Sequence, residues 1–340
     1  MAKVRVAVVM GGRSSEHDVS LDSARSVLEA LDPARFETVT VEIGRDGRWE
    51  LGSGSRGELE RDGRSAVETL PVPTSRVPES LAGVDVVFPV LHGPFGEDGT
   101  VQGLLELADV PYVGAGILAS ALCMDKDRFK AVLRDKGIPV TKSVTLLQSV
   151  DGFENPFGFP VFVKPARLGS SVGITKARSE DELRAGIELA FQHDEKVLVE
   201  EFVRGVEVEC SVLGNEKPIA SIPGEIVANA DWYDYSAKYD EGGMELVIPP
   251  RVSQEAIERV QELSVAAFRV TDCEGMARAD CFVREDGEVL VNELNTIPGF
   301  TATSVYAKLF AASGIPYEEL LERLVQLALE RHERRSRLKF

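Results

Sequence analysis

The chain has 340 residues, of which 44% are hydrophobic and 28% are charged, as in an ordinary soluble globular protein. This length exceeds what one hydrophobic core usually supports, so we expect two or three packed units. The net charge of −18 argues against a nucleic-acid partner, because an acidic chain gains little from a phosphate backbone, but it leaves room for a local basic pocket that binds a small phosphate.

Neither the N-terminus nor the cysteines indicate export or membrane insertion. The chain opens with a strand-like apolar run at 3–10 that no cleavage site follows. No segment reaches the ~20 apolar residues of a membrane span. The four cysteines have no C-x-x-C spacing, which favours buried, reduced thiols. We therefore predict a cytoplasmic protein that does not act on a membrane.

The first third of the chain alternates predicted strands and helices. Strands are predicted at 3–10, 36–43 and 84–91, and helices at 19–31 and 101–110. This alternation predicts a mostly parallel sheet with helices on both faces. Ligands of such sheets lie at the carboxyl ends of the strands, where Gly11-Gly12 and His92 fall. Residues 44–83 are rich in Gly, Ser, Pro and charge, and we interpret them as a surface excursion.

The remaining sequence predicts two further units. Helices are predicted near 124–137, over 182–192, where Ser179 to Glu182 have capping-box spacing, and at 253–270. Strands are predicted at 140–147, 159–165, 196–203, 206–214, 277–284 and 288–294. We divide the chain into an N-terminal unit 1–122, a central unit 123–215 and a C-terminal unit 216–340. The segment 229–245 is polar and aromatic without a clear period, which is typical of a functional lid.

Two predicted strands near the C-terminus carry a candidate metal site. Glu293 and Asn295 are two residues apart on one strand, so their side chains share a face, and Asp280 lies on the neighbouring strand. Carboxylate and amide oxygens are the ligands that Mg²⁺ prefers when it also binds substrate phosphates. The alternative is a solvated polar face. The apolar neighbours on both strands favour buried carboxylates, which need a cation or another partner.

A second candidate site binds an anion. Lys164 ends an apolar strand, and the Gly/Ser loop at 169–173 can present backbone N–H groups to a phosphate. The alternative is a plain turn beside a surface lysine, and the loop lacks the Gly-Lys-Ser/Thr order of a P-loop. The sequence around Glu200, Phe202 and Val203 could contact an adenine, although this signal is weak by itself.

Two loops of the N-terminal unit carry further candidates. His92 and Glu97 follow a strand in a Gly-rich turn, where a structural or orienting histidine is more common than a nucleophile. Glu16 precedes a helix and could cap it, or the helix start could hold a substrate carboxylate. We expect His17 to face solvent.

Taken together, these motifs resemble a known family. The set GGRSSEHDVSL, LHGPFGEDGT, MDKDRFK, VKPARLGSSVG, YDYSAKY, RAD and NELNTIPGFT closely resembles the D-alanine–D-alanine ligases of the ATP-grasp superfamily. The motifs match in order from about residue 4 to about 330, and the match is weakest at 44–83. The resemblance implies an α/β fold, α+β in its ATP-binding part, with three domains and ATP held between the central and C-terminal ones.

The same resemblance implies a nucleotide and metal site. Lys126 and Lys164 would contact the ATP phosphates, and two Mg²⁺ or Mn²⁺ ions would be held by Asp280, Glu293 and Asn295. The residues implied to line the adenine and ribose pocket are Glu200, Phe202, Val203 and Glu207. Some neighbours depart from the common family pattern, among them Ala166, Leu168, Glu201 and Val305, and they affect details of nucleotide affinity rather than the reaction.

The activity implied is ligation of two D-alanines for peptidoglycan synthesis, through a D-alanyl phosphate. Arg278 and the backbone N–H of Gly299 would stabilise the tetrahedral intermediate, and Lys238 would reach the transferring phosphate from the lid. Substrate contacts are implied for the side chains of Glu16, His92 and Ser304. Glu16 would also join Ser170 and Tyr239 in a hydrogen-bonded trio that closes the lid. Family members are usually homodimers, and the partners implied are D-alanine and ATP.

Three alternatives stay open at this point. A related ligase could use D-lactate or D-serine as its second substrate, although tyrosine at position 239 favours D-alanine. Another ATP-grasp enzyme would share the metal and phosphate elements but not the set Glu16, Ser170 and Tyr239. A dinucleotide-binding module is suggested by Gly11-Gly12, but the G-x-G-x-x-G order is missing.

Overall fold

The computed structural model of the chain describes residues 2–51, 81, 83–147, 152–170, 172–228 and 244–339. Residues 229–243 of the proposed lid, which include Lys238 and Tyr239, lie outside the described residues. The roles suggested for those two side chains therefore stay predictions.

The N-terminal sheet is built around the apolar run that opens the chain. Its order is β3-β2-β1-β4, with β1 at Val4–Gly11, β2 at Phe36–Ile43, β3 at Trp49–Leu51 and β4 at Val86–Pro89. β1 pairs in parallel with β2 and β4, which confirms the mostly parallel sheet. The interpretation of 44–83 as a surface excursion missed β3, which joins the sheet edge antiparallel to β2.

The described residues up to 124 also form the helices α1 at His17–Ala30, α2 at Thr100–Leu107 and α3 at Ile117–Met124, of which α3 packs against the C-terminal part of the chain. α1 packs on β1 and buries the side chains of Ala24 and Val27. The sequence analysis did not predict α3. Its sequence, ILASALCM, is apolar on nearly every side and therefore lacks the 3.6-residue period of an amphipathic helix.

The central unit is a second, antiparallel sheet. It follows helix α4 at Lys126–Asp135 and has the order β5-β8-β6-β7, with β5 at Ser143–Leu147, β6 at Val161–Pro165, β7 at Thr175–Ala177 and β8 at Lys196–Glu201. Helix α5, at Glu180–Phe191, covers this sheet through an apolar core that includes Leu183 and Ile187. As the sequence predicts, Ser179 caps α5, because its hydroxyl accepts a hydrogen bond from the backbone N–H of Glu182 at 3.3 Å.

The C-terminal sheet is also antiparallel. Its strands are β9 at Gly205–Gly214, β10 at Ile219–Ala220, β11 at Gly224–Ala228, β12 at Met244–Val247, β13 at Gly275–Arg284 and β14 at Val289–Asn295. They lie in the order β12-β11-β9-β13-β14, with β10 beside β9. Helix α6, at Gln254–Val270, packs on the sheet, and helices α7, at Val305–Ala312, and α8, at Tyr317–Ser336, end the fold. The domain limits stay a proposal, and the pairing of β9 with β13 favours a limit before Gly205 rather than at residue 215.

One hydrophobic core joins the two ends of the chain. It combines β1, α1 and β4 with residues that follow β14 and with the last two helices. Phe300 lies at its centre, with its ring 5.5 Å from Phe88, 5.6 Å from Tyr306 and 6.0 Å from Tyr317, between ring centroids. This packing holds the loop after β14 against the N-terminal sheet. Among the described helices, none is both long and apolar enough to cross a lipid bilayer.

Candidate functional site

A cavity of about 500 Å³ opens where residues of the three sheets and their loops meet. It is lined by the start of α1, the loop that follows β6, and the ends of β13 and β14. The predicted site residues on its wall are Glu16, His92, Lys126, Ser170, Arg278, Glu293, Asn295, Gly299 and Ser304. The cavity therefore gathers predicted site residues from both ends of the chain, since Glu16 and Ser304 are 288 positions apart in the sequence.

The acidic side of the cavity is built by neighbouring strands. Asp280 on β13 is the direct cross-strand partner of Glu293 on β14 and of Glu209 on β9. Asn295 donates a hydrogen bond from Nδ2 to Asp280 Oδ2 at 2.9 Å. The three predicted metal ligands thus lie on adjacent strands, and Asp280 is only 4% exposed.

Arg278 neutralises part of this acidic group. Its guanidinium donates two hydrogen bonds of 2.7 Å to the carboxylate of Asp280, and its Nε lies 2.9 Å from Glu209 Oε2. Burial alone would lower the pKa of Arg278, but the charges of Asp280 and Glu209 outweigh it and raise the pKa well above its usual value. Arg278 is therefore a fixed positive charge next to the proposed metal ligands.

The donor set fits a hard divalent cation. Asp280 and Glu293 supply carboxylate oxygens and Asn295 supplies an amide, and Glu293 and Asn295 both face the cavity. Over the described ranges, no cluster of three or more His, Cys, Asp or Glu side chains is arranged to hold a metal. A cation held here would consequently take its remaining ligands from phosphates or water.

Basic residues face this acidic side. Lys126, at the start of α4, donates a hydrogen bond from Nζ to Leu168 O at 2.8 Å, and its Nζ lies 3.6 Å from Glu293 Oε2. Lys164 does not line the cavity but lies behind it, in an ion pair with Glu200 Oε2. The two lysines thus lie on different elements near the loop after β6. Lys126 is on the cavity wall, and Lys164 is in the strand β6 itself.

Glu200 is held between two lysines. Lys130 Nζ lies 2.7 Å from Glu200 Oε1, and Lys164 contacts the other carboxylate oxygen. Burial would raise the pKa of Glu200, but Lys130 and Lys164 lower it to about 2. Burial lowers the pKa of Lys130 to about 8 against the opposing charge of Glu200. For Lys164 the balance is reversed, since Glu200 and Glu293 outweigh burial and raise its pKa.

The other residues that the resemblance assigns to the adenine pocket follow Glu200 in the sequence and lie outside the cavity. Phe202 follows β8, with its ring centroid 4.5 Å from Lys176 Nζ and 6.2 Å from the ring of Phe162. Val203 is buried, and Glu207 contributes to the raised pKa of Lys164. None of these four predicted residues, Glu200, Phe202, Val203 and Glu207, lines the described cavity.

Glu16 joins the N-terminal unit to the loop after β6. It occupies the N-cap position of α1, but its side chain makes no capping hydrogen bond. Instead its carboxylate accepts a hydrogen bond from the hydroxyl of Ser170, which has a φ of +50°. The capping alternative is therefore wrong, and two members of the predicted trio are in contact. His17 is buried, with its Nδ1 2.7 Å from Gly12 O, so the expectation that it faces solvent is also wrong.

His92 orients the loop after β14. Its Nδ1 lies 3.0 Å from the carbonyl oxygen of Ile297, and its Nε2 lies 3.3 Å from Ser23 Oγ. Burial lowers the pKa of His92 against the opposing charge of Glu16, which favours a neutral ring. A neutral ring that donates from Nδ1 accepts at Nε2, so both contacts fit one tautomer. This agrees with an orienting histidine rather than a nucleophile.

Glu97, in the same turn, is a strongly shifted carboxyl group. Its Oε1 accepts a hydrogen bond from the backbone N–H of Gly93 at 3.0 Å, whereas Oε2 is shielded from solvent without a hydrogen-bond partner among the described residues. Burial and the charge of Glu16 raise the pKa of Glu97 to about 8. The folded chain therefore keeps the proton of Glu97 to a higher pH than the unfolded chain does.

Gly299 and Ser304 lie at the other end of the cavity. Ser304 precedes α7, and its hydroxyl accepts a hydrogen bond from the backbone N–H of Thr301 at 3.0 Å. A Cβ atom at Gly299 would lie 3.3 Å from Ser304 Oγ, a tight contact that favours glycine here. The loop thus brings a backbone N–H and a hydroxyl to the same part of the wall.

Sequence reasoning missed Lys130 and Glu209. Lys130 lies four residues after Lys126, so both lysines fall on one face of α4, which the motif MDKDRFK already indicates. Glu209 is two residues after Glu207 on a strand, which is the spacing that was used for Glu293 and Asn295. Both residues could have been found from these periods.

Comparisons with known proteins agree with this geometry. The family models described as the D-ala D-ala ligase N-terminus and C-terminus match residues 5–115 and 132–326. The D-alanine–D-alanine ligase A of Chromobacterium violaceum is 45% identical, over 97% of this chain and 96% of its own length. That of Escherichia coli K12 is 43% identical, over 100% and 99%.

Solved structures show the same similarity. The VanG D-Ala:D-Ser ligase from Enterococcus faecalis superposes with a TM-score of 0.84 at 38% identity, over 96% of this chain and 100% of that one. The D-alanine–D-alanine ligase from Bacillus anthracis, solved with ATP, gives a TM-score of 0.79 at 28% identity, over 98% and 99%. With both family models matched along most of its length, the chain belongs to the D-alanine–D-alanine ligase family.

Proposed function

We propose that this protein joins two D-alanines into D-alanyl-D-alanine with ATP, for peptidoglycan synthesis. The observation that carries the proposal is the cavity that brings Glu16 and Ser170 together with Lys126, Arg278 and Glu293 in a chain of this family. Relatives named D-alanine–D-alanine ligase align over nearly their whole length. Neither a dinucleotide-binding module nor another ATP-grasp enzyme explains the contact of Glu16 with Ser170.

ATP would lie between the central and C-terminal sheets. Lys126 and Lys164 would hold its phosphates, and the adenine would lie near Phe202 and Val203. Asp280, Glu293 and Asn295 would hold two Mg²⁺ or Mn²⁺ ions, which would neutralise the charge that develops on the transferring phosphate. The oxygen-only donor set on adjacent strands supports this assignment.

The reaction has two steps. The carboxylate of the first D-alanine attacks the γ-phosphate, which gives D-alanyl phosphate and ADP. The amine of the second D-alanine then attacks the acyl carbon, and phosphate leaves. Arg278, which Asp280 and Glu209 hold in place, and the backbone N–H of Gly299 would stabilise the oxyanion of the tetrahedral intermediate.

The remaining side chains hold the substrates. Glu16 would bind the ammonium of the first D-alanine, with His92 close by, and Ser304 would bind the carboxylate of the second. Lys238 and Tyr239 would complete the site from the lid, with Tyr239 joining Glu16 and Ser170. A closed lid keeps water from the acyl phosphate, which would otherwise hydrolyse.

A coupled assay tests the proposal. The purified protein is incubated with ATP, Mg²⁺ and D-alanine, phosphate release is followed, and the product is identified by mass spectrometry. We expect phosphate release that requires both ATP and D-alanine, with one dipeptide per phosphate, and none with L-alanine as the control. Phosphate release without the dipeptide would contradict the proposal.

The choice of second substrate needs a separate experiment, because one structural neighbour is named a D-Ala:D-Ser ligase. We propose D-alanine, on the strength of tyrosine at position 239. Parallel assays with D-alanine, D-serine and D-lactate should show the highest kcat/KM for D-alanine.

The variant Tyr239→Phe tests the same residue. Without the hydroxyl, the hydrogen bond proposed between Tyr239 and the pair of Glu16 and Ser170 would be lost, and we expect the preference to shift towards a hydroxy acid. The measurement is the ratio of dipeptide to D-alanyl-D-lactate when both second substrates compete. An unchanged ratio would contradict the role proposed for Tyr239.

Two further expectations belong to this proposal. A ligase that consumes ATP and free D-alanine would work in the cytoplasm, where ATP is supplied. The family resemblance implies a homodimer, which sedimentation at several protein concentrations would test.

A further inference from the structure

Lys130 is a buried lysine that the reaction described above does not use. It lies in the middle of α4, and its side chain has 0% exposure. Its ammonium contacts Glu200 Oε1 at 2.7 Å, Asn292 Oδ1 at 3.3 Å and the hydroxyl of Thr141. A buried ammonium is destabilising unless it is paired, so three polar partners from separate segments indicate a built site.

These contacts join the two sheets that would enclose ATP. Glu200 lies on β8 of the central sheet, whereas Asn292 lies on β14 of the C-terminal sheet, next to Glu293. Lys130 is too deeply buried to contact a nucleotide itself. Any effect on the reaction must therefore pass through one of its partners.

The partner that connects Lys130 to the site is Glu200. One carboxylate oxygen of Glu200 contacts Lys130 and the other contacts Lys164. Lys130, Glu200 and Lys164 together carry one negative and two positive charges, so the net charge of these three side chains is +1. Without Lys130, the pair of Glu200 and Lys164 would be neutral, and Glu200 would be free to turn fully towards Lys164.

We propose that Lys130 is a positioning residue for ATP. By holding one oxygen of the Glu200 carboxylate, Lys130 prevents Glu200 from fully neutralising Lys164, so that more positive charge is left on Lys164 for the phosphates. The inference rests on the proposed function, because it takes Lys164 to be a phosphate ligand.

The first test compares the binding of a ligand that has the triphosphate with the binding of one that has only the base and sugar. Binding of the non-hydrolysable ATP analogue AMP-PNP, with Mg²⁺, and binding of adenosine are measured by calorimetry for the wild type and Lys130→Met. We expect the Kd for AMP-PNP to rise about tenfold or more and the Kd for adenosine to rise by a clearly smaller factor, because Glu200 also belongs to the proposed adenine pocket. The control Lys136→Met removes the same charge from an exposed position at the end of α4 and should leave both constants unchanged.

The second test is a double-mutant cycle with Glu200→Gln. If Lys130 acts through Glu200, removing Lys130 from the Glu200→Gln protein should change the Kd for AMP-PNP far less than it does in the wild type. Equal losses in the two backgrounds would overturn the proposal. So would equal losses of AMP-PNP and adenosine binding, which would indicate a general effect on folding.

Two further measurements distinguish a failure of the positioning role from misfolding of the variant and from failure of the proposed function. Should Lys130→Met fail to fold, as judged by circular dichroism, Lys130→Gln keeps an N–H donor for Glu200 while removing the charge, and the same comparisons apply. If the wild type binds no AMP-PNP and makes no dipeptide, the proposed function fails. If the wild type does both and the Lys130 variants bind AMP-PNP normally, the positioning role alone fails.

Discussion

Glu97 places a carboxyl group where its negative charge is only partly compensated, by the backbone N–H of Gly93 and the charge of Lys126. Burial and the charge of Glu16 raise its pKa to about 8, so the folded protein keeps this proton at pH values where the unfolded chain releases it. Between about pH 4.5 and pH 8 the folded state therefore binds one more proton than the unfolded state, and the stability due to this group is lost as pH rises. Glu97 links the stability of the cavity wall to pH.

The variant Glu97→Gln tests this link. Glutamine does not titrate, so the variant should match the wild type near pH 5 and become more stable than it towards pH 8, by on the order of a few kcal/mol. Thermal unfolding at pH 5, 6.5 and 8 measures the difference. Glu258→Gln, on the exposed side of α6, should show no such trend, and a constant difference for Glu97→Gln would refute the assignment.

Glu293 is the carboxylate that faces both the cavity and Lys126. We expect Glu293→Gln to lower the rate of dipeptide formation by about 100-fold or more, because a neutral amide binds Mg²⁺ more weakly than a carboxylate. The melting temperature should change little, since Glu293 is partly exposed. The exposed Glu288, next to the start of the same strand, supplies the control Glu288→Gln. If Glu293→Gln kept wild-type activity, Glu293 would not be a ligand of the catalytic metal.

At the scale of the element, the turn from β1 to α1 depends on Gly11. Gly11 has a φ of +86°, and a Cβ atom there would overlap the carbonyl oxygen of Ile43 and lie 3.0 Å from His17 Cε1. The backbone of this turn leads directly to Glu16. A side chain at position 11 would therefore disturb both the sheet and the contact of Glu16 with Ser170.

Gly11→Ala should cost about 2–4 kcal/mol of stability, from the strained φ together with the overlap. Gly137 provides a matched control, because its φ is +71° but a Cβ atom there would have no described atom within 4 Å. Gly137→Ala should therefore cost only about 1 kcal/mol. Urea unfolding of the two variants distinguishes the cost of the positive φ, which both share, from the cost of the Cβ contact, which only Gly11→Ala has. Equal losses in the free energy of unfolding would mean that the Cβ contact at position 11 is relieved.

The elements that sequence could predict are those with a clear local period. β1, β9, β13 and β14 alternate or run apolar, and α5 has a visible cap, so their positions follow from nearby residues. The short edge strand β3 and the apolar helix α3 have no such period. β3 forms as a hairpin with β2 through the turn at 44–48, whereas α3 is stabilised by packing in a core with distant residues such as Val208 and Val291.

The same distinction applies to the site. The grouping of Asp280, Glu293 and Asn295 followed from alternation on two neighbouring strands. The lysine pair around Glu200 did not, because Lys130 and Glu200 are 70 residues apart and meet only when α4 packs beside the central sheet. Local spacing placed Lys130 on a helix face, but only the fold supplies its partners.

At the scale of the whole molecule, Arg331 ties the last helix to the N-terminal unit. It is 3% exposed and donates hydrogen bonds to the carbonyl oxygens of Tyr112, at 2.7 Å, and Gly114. Its guanidinium also lies 4.3 Å from the ring centroid of Tyr112. The start of the chain and its final helix are thus joined by polar contacts as well as by the shared core.

Arg331→Met keeps much of the apolar stem but leaves two carbonyl acceptors without their donor. We expect a loss of about 2–5 kcal/mol in the free energy of unfolding, measured by denaturant titration. Arg337→Met removes an exposed arginine from the end of the same helix, where the ion pair with Glu333 should contribute less than about 0.5 kcal/mol. If both variants lost a similar free energy of unfolding, the buried contacts of Arg331 would contribute no more to stability than the exposed ion pair of Arg337.

The core around Phe300 bears on how this chain could be divided. Because Val8, Phe88, Phe300 and Leu324 belong to one packed group, a cut between residues 115 and 132 would leave each fragment with a wide apolar surface facing water. We therefore expect neither fragment to be stable on its own. Produced together, the two fragments should associate through this shared core.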